Sequence, residues 1–156
     1  MRKSSNRGFS LLELVIVVVI IGILAAIAIP RMSKGSAGAA DSALAGDLAV
    51  VRNAISMYAT EHVGKNPALA DLPTALTQYS NEAGTSFATA KDDTHPLGPY
   101  LRDMPKLPVG NHKGQNGVAA AGAVPPAAED AGANVGWLYD AASGNLWAND
   151  ANNFDI

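Results

Sequence analysis

One apolar segment near the N-terminus constrains this chain more than any other feature. Residues 9–29 read FSLLELVIVVVIIGILAAIAI, and Ser10 and Glu13 are the two polar residues among these 21. A helix rises about 1.5 Å per residue, so the segment would reach roughly 30 Å, the thickness of a bilayer's hydrocarbon core. A carboxylate inside such a helix is costly unless it has a partner, so Glu13 is a functional candidate. The segment predicts a transmembrane or assembly helix over residues 9–30.

The residues before this segment are basic, with Arg2, Lys3 and Arg7 and no acid among residues 1–8. The positive-inside rule then predicts a cytoplasmic N-terminus. An ordinary secretory signal also begins with a basic patch and ends in small residues, and 25–28 (AAIA) would serve as such an end. A cleaved signal peptide and a simple membrane anchor are therefore alternatives that this pattern alone leaves open.

The segment GFSLLE, residues 8–13, resembles the prepilin-peptidase site of type IV pilins and type II secretion pseudopilins. The resemblance implies cleavage between Gly8 and Phe9, N-methylation of the new terminus and retention of the apolar helix. Residues 1–8 would then be a leader peptide, and its removal from 156 residues would leave 148. Glu13 becomes the fifth mature residue, which is Glu in this family, and Pro30 the twenty-second, where the family often has proline.

The resemblance further implies that Glu13 pairs with the terminal amine of a neighbouring subunit during assembly. A buried ion pair of this kind enforces register more reliably than it adds net stability. Gly22 and Pro30 are weak points of the helix, because glycine is a poor helix former and proline removes a backbone donor. In related filaments the segment between such positions can lose helicity. The alternative is that Pro30 merely kinks the helix at the membrane exit.

Residues 31–64 are predicted to form the amphipathic half of the same long helix. Five apolar residues recur at spacings of four and three and so form one stripe: Leu44, Leu48, Val51, Ile55 and Tyr58. Gly64 and Pro67 are expected to end the helix. This half should cover a small sheet.

Residues 65–156 are predicted to form a globular head. Within it, residues 65–82 predict a short helix with Asp71 as its cap and Pro73 in its first turn, and residues 111–134 an exposed loop. Two aromatic runs around the 141–144 turn predict a C-terminal β-hairpin, whose Trp137 and Trp147 should pack between sheet and helix. The expected fold class is α+β, a long N-terminal helix packed on a small antiparallel β-sheet, as in pilins.

Few residues suggest chemistry. His62, His95 and His112 lack metal-ligand spacing, and no nucleotide-binding or hydrolase motif is present. The oxygens of Asp140, Asp150, Asn152 and Asp155 are candidate Ca²⁺ ligands, as some major pseudopilins bind Ca²⁺ in this region. A solvated acidic tail is preferred, because the spacing is not that of an EF-hand. We expect no catalytic residue and no cofactor.

The absence of cysteine, together with the resemblance, favours a pseudopilin over a pilin, because many type IV pilins carry a C-terminal disulfide. The predicted function is a structural subunit of a type II secretion pseudopilus that supports protein secretion. Its expected partners are further copies of itself, the prepilin peptidase, other pseudopilins and the inner-membrane assembly platform. The chain would cross the inner membrane once, with its head in the periplasm, in a periplasmic or extracellular filament. With a net charge of −3, no nucleic-acid partner is expected.

Two alternatives remain at this point. The same packing would also build a surface type IV pilus used for adhesion, twitching motility or DNA uptake. The other alternative, from a different class, is a membrane-tethered periplasmic binding domain.

Overall fold

The computed structural model describes residues 10–130 and 132–154, without the side chains of residues 28–37. Residues up to Ala39 belong to one compact unit and residues from Ala40 onward to a second. The main elements are helices α1 (Leu11–Glu61) and α2 (Leu72–Thr77) and strands β1 (Tyr79–Ser80), β2 (Phe87–Ala88), β3 (Gly117–Ala120), β4 (Val135–Asp140) and β5 (Asn145–Ala148). Two short 3₁₀ helices, Leu69–Asp71 and Ala151–Asn153, complete the described secondary structure.

The predicted apolar stripe of α1 is confirmed as the helix side of the head core. Its five residues are each at most 3% exposed. They pack in one cluster with residues of α2, the 104–109 segment and the sheet, among them Leu76, Leu107, Trp137 and Leu146. Burial of apolar surface on this scale is the main term that stabilises a domain.

Helix α1 ends at Glu61, three residues before Gly64, which was expected to end it. Val63 and Gly64 both have left-handed backbone angles, with φ of 58° and 77°. The Gly64 N–H donates to the Ala59 carbonyl at 2.7 Å, which satisfies one of the carbonyls that a helix end leaves unpaired. The chain therefore leaves the helix by a turn that glycine allows and that valine adopts at a cost.

The predicted helix over residues 65–82 is wrong in extent. A 3₁₀ turn leads directly into α2, which ends at Thr77, and Tyr79 begins β1. Asp71 does stand immediately before α2, and Pro73 lies in its first turn, but the Asp71 side chain makes no capping bond. Asp71 is itself part of the 3₁₀ turn and has a helical backbone, whereas a capping side chain needs an extended one.

Two sheets form the β part of the head. Strands β1 and β2 form an antiparallel pair, and the other sheet has the order β3-β4-β5. The pair β4 and β5 is the predicted hairpin, antiparallel, with Trp137 opposite Ala148 and Asp140 opposite Asn145. The α+β fold class is confirmed.

Strand β3 corrects the prediction of a loop over residues 111–134. It pairs with β4 in parallel, with a bulge between Gly117 and Val118. Its four residues, GVAA, carry small side chains, so the strand lacks the alternation of large apolar and polar residues by which strands are recognised. Backbone pairing alone defines this strand. The sheet is therefore mixed, whereas a purely antiparallel sheet was predicted.

The two tryptophans lie on opposite faces of the sheet. Trp137 is fully buried in the core cluster, and its indole N–H donates to the Pro105 carbonyl at 2.9 Å. Trp147 pairs with Leu138, which is the residue next to Trp137 in β4. Successive residues of a strand point to opposite faces of the sheet, so Trp147 and Trp137 lie on different faces. The prediction of packing between sheet and helix is therefore confirmed for Trp137 and wrong for Trp147, which is buried on the other face.

Candidate functional site

The structure places Glu13 at the start of α1. Its carboxylate accepts a hydrogen bond from the backbone N–H of Ser10 at 3.0 Å. A serine followed three residues later by glutamate is the capping-box spacing, in which the acid satisfies an amide that the helix start leaves unpaired. The sequence pattern S-x-x-E carried this signal, although the functional argument for Glu13 did not use it. Gly8 and Phe9, the predicted processing site, lie outside the described residues.

The apolar side chains that follow Glu13 are exposed. Every large hydrophobic residue from Leu11 to Ile27 has at least 44% of its surface accessible. Glu13, Leu14, Val17 and Val18 line a groove of about 210 Å³ on this surface. Contiguous apolar surface of this extent marks a site of interaction with a protein or a lipid phase.

No helix among the described residues was found to combine the length and the apolar character that a membrane crossing requires.

The helix bounds include both predicted assembly positions, Gly22 and Pro30. A Cβ added at Gly22 would meet nothing within 4 Å, so neighbouring atoms of the same chain do not require glycine there. The side chain of Pro30 is outside the described part. The roles of both residues in assembly stay predictions.

Asp140 closes the β4–β5 turn. Its carboxylate accepts hydrogen bonds from the Ser143 hydroxyl at 2.6 Å, the Ser143 N–H at 3.0 Å and the Ala142 N–H at 3.3 Å. The two bonds from Ser143, hydroxyl first, lower the pKa of Asp140 below its usual range. This carboxylate is already used by the turn.

Asp150 and Asn152, two further candidate Ca²⁺ ligands, lie at the opposite end of β5. Asp150 is 3% exposed and accepts hydrogen bonds from the side-chain amides of Asn152 and Asn153. At about 3.4 Å per residue, Asp140 and Asp150 are separated by roughly 15 Å along the hairpin. Asp155 lies outside the described residues. Asp140 and Asp150 are therefore too far apart to share one ion, and the described part of the chain holds no group of three or more His, Cys, Asp or Glu placed for a metal.

The three histidines lie apart. His62 is buried, stacks on Tyr58 with 3.7 Å between ring centroids, and donates from Nδ1 to the Tyr58 carbonyl at 2.8 Å. Its Nε2 lies 3.0 Å from the Ser80 hydroxyl, which joins the end of α1 to β1. His95 contacts Asp92, and His112 lies 3.7 Å from Glu129. His62 therefore serves packing and links the end of α1 to β1.

The N-terminal segment and most of the chain are similar to known proteins. Residues 3–29 match the family model of the prokaryotic N-terminal methylation motif. The type II secretion system core protein G of Klebsiella pneumoniae is 30% identical over 108 residues, which cover 68% of this chain and 71% of that protein. The core protein G of Vibrio cholerae is 30% identical over 111 residues, covering 71% and 69%.

A pilin matches over a shorter region. The type IV major alpha-pilin of Moraxella bovis is 38% identical over 68 residues, which cover 44% of this chain and 42% of that protein. No solved structure matches the chain. The matches to core protein G extend over more than two thirds of both chains, and they accompany a methylation motif and a pilin-like α+β head. The chain therefore belongs to the family of the type II secretion system core protein G, the major pseudopilins.

Proposed function

We propose that this pseudopilin is cut by prepilin peptidase between Gly8 and Phe9, methylated on its new amine and polymerised with further copies of itself. The observation that carries the proposal is the methylation-motif match over residues 3–29, which spans the cleavage site, Glu13 and Gly22. The filament would be a type II secretion pseudopilus, and its role in secretion would be structural.

The location follows from the same region. Residues 9–30 would sit in the inner membrane before assembly, with the basic leader on the cytoplasmic side. The head, residues 65–156, would lie in the periplasm. Other pseudopilins and an inner-membrane platform would then meet the subunit at the membrane from which the filament grows.

Glu13 would exchange one partner for another during assembly. Within one chain its carboxylate accepts from the neutral Ser10 amide. In the filament it would accept from the cationic terminal amine of a neighbour, and hydrogen bonds between charged partners are roughly twice as strong as neutral ones. An unpaired carboxylate among apolar helices would be costly, so a subunit in the wrong axial position would be rejected.

Gly22 and Pro30 would let the helix adapt as it moves from membrane to filament. Each lowers the cost of breaking helical hydrogen bonds nearby. The apolar surface of residues 11–27 would be covered by lipid before assembly and by other helices afterwards.

The mass of the chain extracted from its native membrane tests this proposal. A mass matching Phe9 to Ile156, with or without one methyl group, is the expected result. A Gly8→Glu variant should keep the full-length mass, because the peptidase site is destroyed. A full-length mass for the parent chain in cells with active peptidase would make it a tethered domain, and cleavage after Ala28 would make it an exported protein.

The pilin match over 68 residues favours a surface pilus as the second candidate. Deletion of the chain separates the two filament types. Loss of secretion without loss of a surface fibre is expected for a pseudopilin, and loss of the fibre would establish a pilin.

We further propose that the C-terminal carboxylates serve the fold and bind no Ca²⁺, since Asp140 and Asp150 already have partners within the chain. A ligand that binds the native state must raise its melting temperature. Addition of Ca²⁺ after chelator treatment should therefore leave the melting temperature unchanged, and a rise would show a site that involves other residues.

A further inference from the structure

A serine, a histidine and an aspartate form a chain of hydrogen bonds on the loops beside β1 and β2. The Ser86 hydroxyl lies 2.9 Å from Nε2 of His95, and Nδ1 of the same ring lies 2.8 Å from Oδ1 of Asp92. A hydroxyl next to a base that a third group orients is the arrangement by which an activated serine is recognised. Ser86, His95 and Asp92 are called the loop triad below.

Asp92 fixes the tautomer of the His95 ring. A carboxylate only accepts hydrogen bonds, and the Thr94 hydroxyl near Nδ1 donates its proton to the same carboxylate at 2.7 Å. The ring proton therefore resides on Nδ1, and Nε2 presents a lone pair to the Ser86 hydroxyl. In this tautomer His95 has the form of a general base for the serine.

The Asp92 carboxylate is itself held in place and kept charged. Its Oδ1 also accepts from the backbone N–H groups of Thr94 and His95, at 2.8 and 2.7 Å, which fixes the turn that carries the ring. The hydrogen bonds to this carboxylate, that of the Thr94 hydroxyl first, lower the pKa of Asp92 to about 2. A charged carboxylate at Nδ1 stabilises the imidazolium that forms when the ring takes a proton.

Strand β1 brings the serine and the histidine together. Ser80 of β1 pairs with Phe87, the residue after Ser86. Ser80 also exchanges two backbone hydrogen bonds with Leu97, two residues after His95. The two segments that carry Ser86 and His95 are therefore both anchored to the same residue of the head, so their geometry does not depend on a free loop.

A second serine–histidine pair shows what distinguishes the loop triad. Ser80 and His62 lie 3.0 Å apart, but both are buried, and Nδ1 of His62 contacts a backbone carbonyl instead of a carboxylate. Ser86 is exposed, and the His95 side chain retains 14% of its surface. The loop triad thus combines a base, a carboxylate and access from solvent. The sequence carries no hydrolase motif, so the assignment rests on this geometry.

We propose that Ser86 is a nucleophile activated by His95, and that the head thereby hydrolyses small activated esters of carboxylic acids. The Ser86 oxygen would bond to the ester carbonyl carbon while its proton passes to Nε2 of His95. The bond from that carbon to the alcohol oxygen then breaks, and the alcohol leaves with the proton. Water attacks the acyl-serine in the same way, giving its proton to Nε2, and Ser86 recovers that proton as the acid leaves.

The surroundings of the loop triad define the substrate class. Ser86, Asp92 and Thr94 are exposed, so an ester reaches the serine across an open surface. An open site is wet, which weakens its electrostatic interactions, and most of the reactivity must then come from the ester itself. Aryl esters, whose leaving group departs easily, are therefore the expected substrates. This activity goes beyond the proposed structural function and does not depend on filament assembly.

Hydrolysis of p-nitrophenyl acetate by the full chain in detergent tests the proposal. The rate should fall about tenfold or more in Ser86→Ala and in His95→Gln. Ser143→Ala is the matched control, because Ser143 is exposed and donates to the Asp140 carboxylate, while its hydrogen bonds within the described residues involve no histidine. Its rate should change less than about twofold.

The serine variant also separates two routes. An imidazole attacks aryl esters by itself, and Ser86→Ala leaves His95 in place, so only the serine route is lost. Ser86→Ala should melt within about 2 °C of the parent, as expected for an exposed position. A rate kept in Ser86→Ala, or lost equally in Ser143→Ala, would overturn the proposal.

A fluorophosphonate gives a second measurement on the unaltered chain, because it bonds to activated serine oxygens with loss of fluoride. Peptide mapping should find the adduct on Ser86 and not on Ser143, and His95→Gln should prevent it. The absence of an adduct, or equal labelling of both serines, would overturn the proposal.

Asp92 touches no substrate and acts as a positioning residue through the His95 ring. Asp92→Asn removes the charge and keeps the shape of the side chain, so the rate should fall about threefold or more. The ¹⁵N chemical shifts of His95 report where the ring proton resides. They should show the Nδ1–H tautomer in the parent and a mixture of tautomers in Asp92→Asn, and shifts and a rate that both stay unchanged would contradict the role of Asp92.

Discussion

The guanidinium of Arg52 donates two hydrogen bonds to the backbone carbonyl of Leu146, from Nη2 at 2.7 Å and from Nε at 3.0 Å. Leu146 is fully buried, so this carbonyl on β5 depends on the arginine of α1. Hydrogen bonds from charged donors contribute about 1.5–3 kcal/mol, and an unsatisfied buried carbonyl costs a similar amount. Arg52→Met should therefore lower the free energy of unfolding by about 2 kcal/mol.

Urea unfolding of the full chain in detergent, followed by tryptophan fluorescence, measures this change because both tryptophans are buried in the head. Asn53→Met, on an exposed position next along the helix, is the control and should be nearly neutral. A neutral Arg52→Met would show that water replaces the guanidinium at Leu146.

Gly136→Ala should destabilise the head by about 2 kcal/mol or more, because overpacking a tight site forces the backbone to move. An added Cβ would lie 2.3 Å from the Gln115 carbonyl oxygen, at the bulge where β4 meets β3. Gly122→Ala is the matched control, since a Cβ there meets nothing within 4 Å. The melting temperatures of the two variants give the comparison, and equal values would show that the bulge can open without cost.

Val63→Gly should stabilise the head by about 0.5–1 kcal/mol. A left-handed backbone costs an L-residue about 1–2 kcal/mol, and glycine avoids this cost. Part of the gain is offset because glycine loses more conformational entropy on folding. Val63 has φ of 58° and is 89% exposed, so the substitution removes strain and little packing. Chemical unfolding checks the gain, with Val63→Ala expected to recover less of it. A destabilised Val63→Gly would mean that the valine side chain is needed after all.

Asp92 predicts a pH dependence. Its carboxylate accepts from the Thr94 hydroxyl and the His95 ring, and these bonds, the threonine first, lower its pKa from 3.8 to about 2. A lowered pKa contributes stability that is complete above the unfolded value and is lost as the pH falls toward the folded value. The melting temperature of Asp92→Ala should therefore lie below that of the parent at pH 6, and the difference should shrink between about pH 4 and pH 2.

Asp93→Ala removes an adjacent carboxylate without removing these bonds, and its difference from the parent should not follow this course. A constant difference for Asp92→Ala down to pH 2 would contradict the assignment.

Glu13→Gln separates the two roles of this side chain. The amide oxygen can still accept from the Ser10 N–H, so the helix start is kept while the charge is lost. Glu13→Gln and Glu13→Leu should both insert into the membrane and fail to form filaments. Membrane fractionation and electron microscopy measure the two outcomes, and normal filaments from Glu13→Gln would show that the charge is dispensable.

The long-range packing of α1 was predictable because it follows from the period of the chain itself. Leu44, Leu48 and Val51 repeat with the helical period, and a helix with one such stripe must bury it. The β4–β5 hairpin was predictable for a related reason, since aromatic alternation around Ser143-Gly144 is a local signal.

The elements that were missed depend on partners distant in sequence. Strand β3 forms because its backbone pairs with that of β4, and its small side chains give no sequence signal of that pairing. The contact of Arg52 could not be predicted, because nothing local indicates the Leu146 carbonyl 94 residues away. Asp140 was one of four candidate Ca²⁺ ligands, with a solvated acidic tail preferred, because its bonds to Ser143 depend on a turn geometry that the sequence does not show.

Two of the hydrogen-bonded attachments between the helix and the rest of the head have a mechanical consequence. Arg52 donates to a carbonyl of β5, and His62, the residue after α1, contacts the hydroxyl of Ser80 in β1. These residues are ten apart, which corresponds to about 15 Å along the helix axis. A body fastened to a rod at two such points cannot swivel about either one. Force applied along the soluble half of α1 would therefore move the head together with the helix, without rotation of the head about the helix axis.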